Sequence, residues 1–210
     1  MIVVKPNKIG IKKAIAILKN GGVVVYPTDT AYALGGIFDW PAVTQKILKI
    51  KKRKDKKFTL VAASLVQVEK FFKFNNLEKK LAEKYWPGPL SIAVLPRFAV
   101  RVPKNQITRF LAQKVGGPLI ATSANISGQP ALYDSGRIIK QFLKEKNPRL
   151  RQPALRRRLR QGEGFGGQEP DLILDCGRLP RKPVSTIVKI KNGKKIEVIR
   201  QGAVKIKFEF

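Results

Sequence analysis

The sequence contains no histidine and a single cysteine, Cys176. The lack of imidazole excludes Ser-His triads, histidine general bases and the commonest zinc ligand. A single cysteine allows no internal disulfide, which indicates a protein of the reducing cytoplasm. If the chain is an enzyme, catalysis must come from positioning, cationic side chains and backbone donors.

Long apolar runs are also lacking. The longest, at residues 21–26, has the length of a strand, whereas a membrane helix needs roughly 18 uncharged apolar residues. Residues 1–6 lack both the apolar stretch and the small-residue cleavage site of a signal peptide. We therefore expect a cytoplasmic protein with no membrane partner.

Acidic residues are scarce. The 210 residues include 14 Asp and Glu against 43 Lys and Arg, a formal net charge of +29. Such a surface attracts polyanions, so by charge alone nucleotides, nucleic acid and acidic membrane surfaces are all candidate partners. Of these three, we expect no membrane partner. The alternative is a lysine-rich solvated surface that serves no partner. The hydrophobic fraction of 43% is sufficient for a packed core.

The apolar pattern alternates helices and strands early in the chain and clusters strands late. Helices are predicted at about 11–18, 41–50, 64–72, 77–85, 107–115 and 137–144, with Asp39, Ser64 and Ser135 as caps of the second, third and last. Strands are predicted at about 23–26, 58–62, 91–95, 99–102, 118–121, 172–175, 184–190 and 196–199. This order predicts one α/β domain, residues 1–210, with helices packed on a single mixed β-sheet.

Residues 147–168 interrupt this pattern. The stretch 144–160 holds eight basic residues and one acid, and a glycine-rich stretch follows at 162–167. A long irregular segment inside a compact domain is usually functional or disordered. One hypothesis is an arm that docks RNA; the alternative is a solvated insertion with no partner.

Polar residues with small side chains follow two predicted strands. Pro27-Thr28-Asp29-Thr30 comes after the first strand, and Thr122–Gly128 comes after the strand at 118–121. Open α/β sheets place ligands at the carboxyl ends of strands, and small side chains let backbone amides approach an anion. The alternative for each is an ordinary polar turn.

Basic residues suggest where an anion would bind. Seven successive charged residues, at 51–57, follow a predicted helix, and a triphosphate clamp favours both an Arg fork and a mobile Lys. The alternative is a set of cations that offset the helix dipole. Arg101, Ser185 and Arg200 lie near strand ends and suggest a shared pocket, although each alone could point to solvent.

In this order, these segments resemble the YrdC-like family. The resemblance rests on Pro27-Thr28-Asp29-Thr30, Tyr32-Ala33-Leu34-Gly35, Lys51-Lys52-Arg53, Trp86-Pro87-Gly88-Pro89, Arg101-Val102-Pro103, Ser123-Ala124-Asn125-Ile126-Ser127-Gly128, Ser185-Thr186-Ile187 and Arg200-Gln201-Gly202. Each motif is weak by itself, but eight in register from about residue 10 to 204 are specific.

The resemblance implies a twisted mixed sheet with a cationic concave face. It also implies an ATP-dependent nucleotidyltransferase that makes threonylcarbamoyl-AMP and pyrophosphate from L-threonine, bicarbonate and ATP. The product would serve the modification of adenosine 37 in tRNA, through a partner threonylcarbamoyl transferase. Mg²⁺ would be held by the ATP phosphates and water, with no protein ligand.

Site residues follow from the matched motifs. Threonine would bind at Thr28, Arg101, Ala121 and Ser185, with Arg101 pairing with the carboxylate. ATP would bind at Lys51, Arg53, Ser123, Asn125 and Arg200. The runner-up is a non-catalytic protein of the same fold that binds RNA, including double-stranded RNA.

The sequence also departs from the family pattern. Ala33 replaces a usual glycine, and the loop between Arg53 and Phe58 is one residue shorter and lacks its proline. Either Lys56 or Lys57 could therefore fill the family's second lysine position. The arginine-rich insertion is not a family feature.

Overall fold

The computed structural model describes residues 1–144 and 169–206. The insertion predicted at 147–168 lies outside the described residues, so the docking arm stays a prediction. Within the described part, the chain forms six helices and eleven strands. No helix in 1–144 or 169–206 is both long and apolar enough to cross a membrane.

The helices begin and end where local chemistry favours it. Asn7, Ser64, Asn75 and Asn105 each accept a backbone N–H of the helix that follows, and Gly116, at a φ of 86°, ends the helix that Asn105 begins. The helices are α1 (Lys8–Lys19), α2 (Pro41–Lys51), α3 (Leu65–Glu69), α4 (Asn76–Tyr85), α5 (Gln106–Val115) and α6 (Ser135–Lys144).

The strands form two mixed sheets. They are β1 (Ile2–Val4), β2 (Val24–Pro27), β3 (Tyr32–Gly35), β4 (Phe58–Val61), β5 (Leu90–Leu95), β6 (Phe98–Arg101), β7 (Leu119–Ile120), β8 (Thr122–Ser123), β9 (Leu172–Leu174), β10 (Thr186–Lys191) and β11 (Lys195–Arg200). The five-stranded sheet has the order β1-β9-β2-β3-β8, and the six-stranded sheet β11-β10-β5-β6-β4-β7. The predicted α/β class with mixed pairing is confirmed, although the strands divide between two sheets.

The two sheets meet at Ala121. Just before it, Ile120 pairs with Leu60 in the six-stranded sheet; just after it, Thr122 pairs with Leu34 in the five-stranded sheet. The Ile120 N–H donates to Gly36 O at 2.8 Å, and its carbonyl accepts from the Tyr26 hydroxyl at 2.5 Å. The sequence predicted a strand that ends at Ala121 and a polar segment from Thr122 onward, so the pairing of Thr122 and Ser123 in the second sheet was not predicted.

The core has three buried clusters. The largest joins both sheets to α2 and α6 and includes Leu34, Ile47, Leu60, Val100 and Phe142. A second packs α1 and α5 against the five-stranded sheet, and a third packs α4 against β5 and β10. Since α4 covers one face of the six-stranded sheet, the other face of that sheet is left for the cavity described below.

Two of the predicted helix caps are wrong. The N-cap of α2 is Trp40, with no side-chain hydrogen bond, so Asp39 does not cap it. In α6 the capping acceptor is Asp134, which receives the Arg137 N–H at 3.0 Å, while the Ser135 hydroxyl donates to Asp175. Ser64 does cap α3, but that helix ends at Glu69, earlier than predicted.

Candidate active site

A cavity of about 490 Å³ opens over one face of the six-stranded sheet. Alternate residues of its strands face the cavity, among them Thr59, Ala93 and Ala99. Their neighbours Leu60 and Val100 face the core, as the two-residue period of a strand requires. The turn after β2 and the loop after β8 complete the rim.

Eight of the nine predicted site residues line this cavity: Thr28, Arg53, Arg101, Ala121, Ser123, Asn125, Ser185 and Arg200. They come from distant parts of the chain, and the two-sheet fold brings them together. The ninth, Lys51, is buried behind the cavity wall. Their roles toward threonine and ATP stay predictions.

Arg101 ends β6, and its side chain is only 4% exposed. Its Nη1 donates to Asp29 Oδ1 at 2.6 Å, and its Nη2 donates to Thr30 Oγ1 at 3.2 Å. Its Nε, also buried, has no hydrogen-bond partner within the described structure. The guanidinium is therefore fixed at one end and keeps donors for an anion in the cavity.

Thr28 fixes the turn that carries Asp29. Its hydroxyl donates to Ala31 O at 2.6 Å and accepts the backbone N–H groups of Thr30 and Ala31 at 3.1 and 3.2 Å. This is the side-chain turn that the motif suggested. Holding the turn rigid also holds Asp29 against Arg101.

Ser185 and Arg200 meet at the same end of the cavity. Arg200 donates from Nε and Nη2 to Ser185 O at 3.1 and 2.8 Å, and from Nη2 to Ser185 Oγ at 3.0 Å. The buried Ser91 hydroxyl donates to Ser185 Oγ at 3.1 Å. Desolvation and the positive charge of Arg101 both lower the pKa of Arg200, so the two arginines share one electrostatic environment.

Lys51 supports the loop after β8. Its side chain ends in a buried ammonium that donates to Ser123 O at 2.6 Å, Asn125 O at 2.9 Å and Asn125 Oδ1 at 3.1 Å. The Ser123 hydroxyl donates to the same Asn125 oxygen at 2.5 Å, and the Asn125 amide donates to Gln129 O. The loop is thus organised around one cation.

Burial and the nearby Arg53 lower the pKa of Lys51 to about 8. The residue is 2% exposed, so desolvation of the ammonium is the larger cause. Its oxygen acceptors favour the charged form, which keeps the residue protonated at neutral pH. The loop therefore depends on a proton that is lost under mildly alkaline conditions.

Arg53 stands at the other end of the cavity. Its Nη2 donates to Asp55 Oδ2 at 2.8 Å and to Lys57 O at 3.0 Å, and its guanidinium lies 5.6 Å from the Phe58 ring centroid. Lys57 lines the cavity. Lys56 is not among the lining residues, so Lys57 is the better placed of the two lysines left open by the sequence.

The cavity has two cationic ends. Arg97, a lining residue that the sequence did not single out, directly precedes β6, and its carbonyl accepts the Phe58 N–H at 2.8 Å. Arg97 and Arg101 are four residues apart, which in a strand corresponds to about 13 Å between their backbones. Arg53, Lys57 and Arg97 form the Phe58 end; Arg101 and Arg200 form the Arg101 end.

The lining carries no acid among the described residues, although Asp29 lies directly behind it. Residues 1–144 and 169–206 hold no group of three acidic, Cys or His side chains suited to a metal ion. The arrangement thus suits a ligand, or a ligand pair, with anionic groups at both ends.

Sequence reasoning passed over Asp29, Ser91 and Arg97 as site residues. Asp29 stood inside a recognised motif, but a contact with Arg101 across 72 positions leaves no local signal. Ser91 is a polar residue in an otherwise apolar strand, and this pattern could have indicated a site residue.

Comparison with known proteins places this geometry in a family. The Sua5/YciO/YrdC family model, described as "Telomere recombination", matches residues 16–160. A protein of Psychromonas ingrahamii named threonylcarbamoyl-AMP synthase is 36% identical over 146 residues, which are 61% of this chain and 76% of that relative.

Solved structures agree on the fold. P. abyssi Sua5 complexed with L-threonine matches with a TM-score of 0.73 and 26% identity, over 96% of this chain and 56% of that one. This chain therefore spans little more than half the length of that Sua5. E. coli YciO matches with a TM-score of 0.72 and 23% identity, over 98% of this chain and 97% of its own. The chain belongs to the Sua5/YciO/YrdC family.

Proposed function

We propose that the protein is a threonylcarbamoyl-AMP synthase, which forms threonylcarbamoyl-AMP and pyrophosphate from L-threonine, bicarbonate and ATP. The observation that carries this proposal is that one cavity has cationic groups at both of its ends. One substrate, threonine, carries a carboxylate, and the other carries a triphosphate. The name of the P. ingrahamii relative and the threonine complex of P. abyssi Sua5 support the same reaction.

Threonine would lie at the Arg101 end. Arg101 would pair with its carboxylate through the donors that Asp29 and Thr30 leave available, and Ser185 would donate or accept beside it. Thr28 would shape the turn at this end, and Ala121, at the junction of the sheets, would leave room for the substrate.

ATP would lie between Arg200 and the Phe58 end. Arg53 would contact the phosphates, with Lys57 and Arg97 as neighbours, while Ser123 and Asn125 would offer polar groups from the loop after β8. Lys51 would act through this loop, which it holds from behind.

The reaction needs no protein nucleophile. The threonine amine and bicarbonate give a carbamate and water; a carbamate oxygen then attacks the α-phosphorus, and the bond to the β-phosphate oxygen breaks to release pyrophosphate. In-line positioning and charge neutralisation supply most of the acceleration in such transfers. Fixed cations of this cavity can provide both, which accounts for a histidine-free enzyme.

Mg²⁺ would enter with the ATP phosphates. Asp29, the carboxylate that pairs with Arg101, already accepts from Arg101 and from the Lys104 N–H at 3.1 Å, so it is a poor metal ligand. The ion would neutralise charge on the phosphates, which hold it together with water.

Transfer of the product to tRNA through a partner transferase also belongs to this proposal. The RNA-binding alternative has less support, because a protein that only binds RNA has no need for Thr28, Arg101 and Ser185 around one cavity. The insertion and the charge of +29 leave RNA contact open as an accompanying property.

Incubation with ATP, L-threonine and labelled bicarbonate tests the proposal. We expect pyrophosphate and a labelled adenylate in amounts that depend on each of the three substrates. Omission of threonine is the matched control for simple ATP hydrolysis. Pyrophosphate release that is independent of threonine, or no release at all, would contradict the synthase function.

A further inference from the structure

Asp29 has no part in the binding roles assigned above, yet it is more buried than Asp55, the acid that pairs with Arg53 of the cavity lining. Its side chain is 9% exposed and forms a 2.6 Å ion pair with Arg101. Its other oxygen accepts the Lys104 N–H at 3.1 Å. Because the turn is fixed by the Thr28 hydroxyl, Asp29 is held in place independently of any ligand.

The effect of Asp29 is to make the two ends of the cavity electrostatically unequal. Counting only the residues that the structure describes, the Arg101 end has two cations and this buried acid, a net charge of +1. The Phe58 end has three cations and Asp55, a net charge of +2, and Asp55 is 56% exposed, so solvent screens it. Removal of Asp29 would make the two ends equal in charge.

The two substrates also differ in charge: threonine carries less negative charge than the phosphates of ATP. Free threonine is a zwitterion. The Asp29 carboxylate would repel the carboxylate of threonine but attract its ammonium group. Pyrophosphate and the ATP phosphates carry several negative charges and no positive group, and like charges repel strongly where solvent is excluded. A charge-compensated arginine therefore favours an amino acid over a phosphate.

We propose that Asp29 determines which anion binds at which end: it keeps phosphate groups out of the threonine end while it orients Arg101 for the carboxylate. The inference rests on the proposed function and adds to it a residue that selects between the two substrates. Without Asp29, the Arg101 end would accept phosphate and thereby compete with threonine.

The test compares Asp29→Asn with wild type in two measurements. Calorimetric titration with pyrophosphate alone, in the full chain, should show a second binding event in Asp29→Asn, or binding tighter by about tenfold or more. In the synthase assay, pyrophosphate should inhibit Asp29→Asn competitively with threonine, whereas wild type should lack this competition. The KM for threonine should rise, while the KM for ATP should change little.

Two further variants separate charge selection from loss of structure. Asp29→Glu retains the negative charge and should restore resistance to pyrophosphate even where threonine binds less well. Asp39→Asn removes one exposed acid outside the cavity and should behave as wild type. A purely structural role for Asp29 would raise both KM values in Asp29→Asn without creating competition, and that result would overturn the inference.

The two proposals can fail separately. If wild type neither binds threonine nor forms the adenylate, the synthase function fails, and the pyrophosphate titration still decides the role of Asp29. If wild type is a synthase and Asp29→Asn gains no pyrophosphate binding, the inference alone is wrong.

Discussion

At the scale of single residues, Arg101 joins structure and recognition. Its guanidinium is buried against Asp29, yet Arg101 lines the cavity and its Nε has no hydrogen-bond partner within the described residues. We expect Arg101→Ala to weaken threonine binding by about 1.5–3 kcal/mol, the range for a charged hydrogen bond, while ATP binding changes little. Calorimetry with each substrate checks both values. Arg101→Lys, which keeps the charge beside Asp29, controls for damage to the fold, and unchanged threonine affinity in Arg101→Ala would remove the residue from the site.

Lys51 gives a prediction about pH. Its folded pKa, about 8, is below its ordinary value of 10.5, so between these two values the unfolded chain binds more protons than the folded protein. The free energy of unfolding should therefore gain a contribution as pH rises from about 8 to 10.5, by at most about 3 kcal/mol. Denaturation of wild type and of Lys51→Met at several pH values in this window checks the prediction, because the free energy of unfolding of the variant should not rise with pH in this way. Parallel curves would contradict the buried ammonium.

Deprotonation of Lys51 should also weaken the binding of ATP. A neutral amine has only two N–H donors for the three oxygens that Lys51 contacts. The loop at Ser123 and Asn125 should loosen as pH rises through about 8, and the KM for ATP should rise with it. Threonine binding at the Arg101 end should not share this dependence.

At the scale of elements, helix caps offer a direct test of sequence reasoning. Asn75 and Glu78 form a reciprocal capping box at the start of α4, with hydrogen bonds of 2.9 and 2.8 Å. Asn75→Ala should cost about 1 kcal/mol of stability. Asp39→Ala should cost almost nothing, because the structure gives Asp39 no capping role in α2. Urea denaturation of both variants checks the difference; a larger loss in Asp39→Ala would reverse the assignment.

Local hydrophobic patterns in the sequence were enough to predict most of the helices and strands. The amphipathic helices and the buried strands β4, β5 and β6 were predicted within a few residues, because burial leaves a period of 3.6 or 2 in the sequence. The strands β1, β3 and β8 were not predicted. The residues of β3 form one of the family motifs but received no secondary-structure assignment, although all four are buried and β3 lies between β2 and β8.

The candidate site was predicted better than the connections that position it. Motifs in order identified eight cavity residues, since ligand-binding loops keep a recognisable local composition. Contacts between motifs left no such trace. Lys51 shows the difference: the sequence suggested a phosphate contact, whereas its side chain reaches under a loop more than 70 residues away.

At the scale of the whole molecule, the excess of cations acts on the fold and on the ligand in opposite directions. With 43 Lys and Arg against 14 Asp and Glu, the folded chain carries a formal charge of +29 and repels itself. Salt screens this repulsion over a Debye length of about 10 Å at 0.1 M and about 3 Å at 1 M. Raising NaCl over this range should therefore raise the melting temperature.

Salt should also weaken ATP binding, because the cavity attracts the triphosphate through partly solvated cations such as Arg53 and Lys57. Threonine affinity should fall less, since Arg101 is buried and its charge is offset by Asp29. Melting curves and calorimetry in one NaCl series measure all three quantities, with an uncharged osmolyte as control for general solvent effects. Equal losses of ATP and threonine affinity would mean that the two ends of the cavity do not differ in charge.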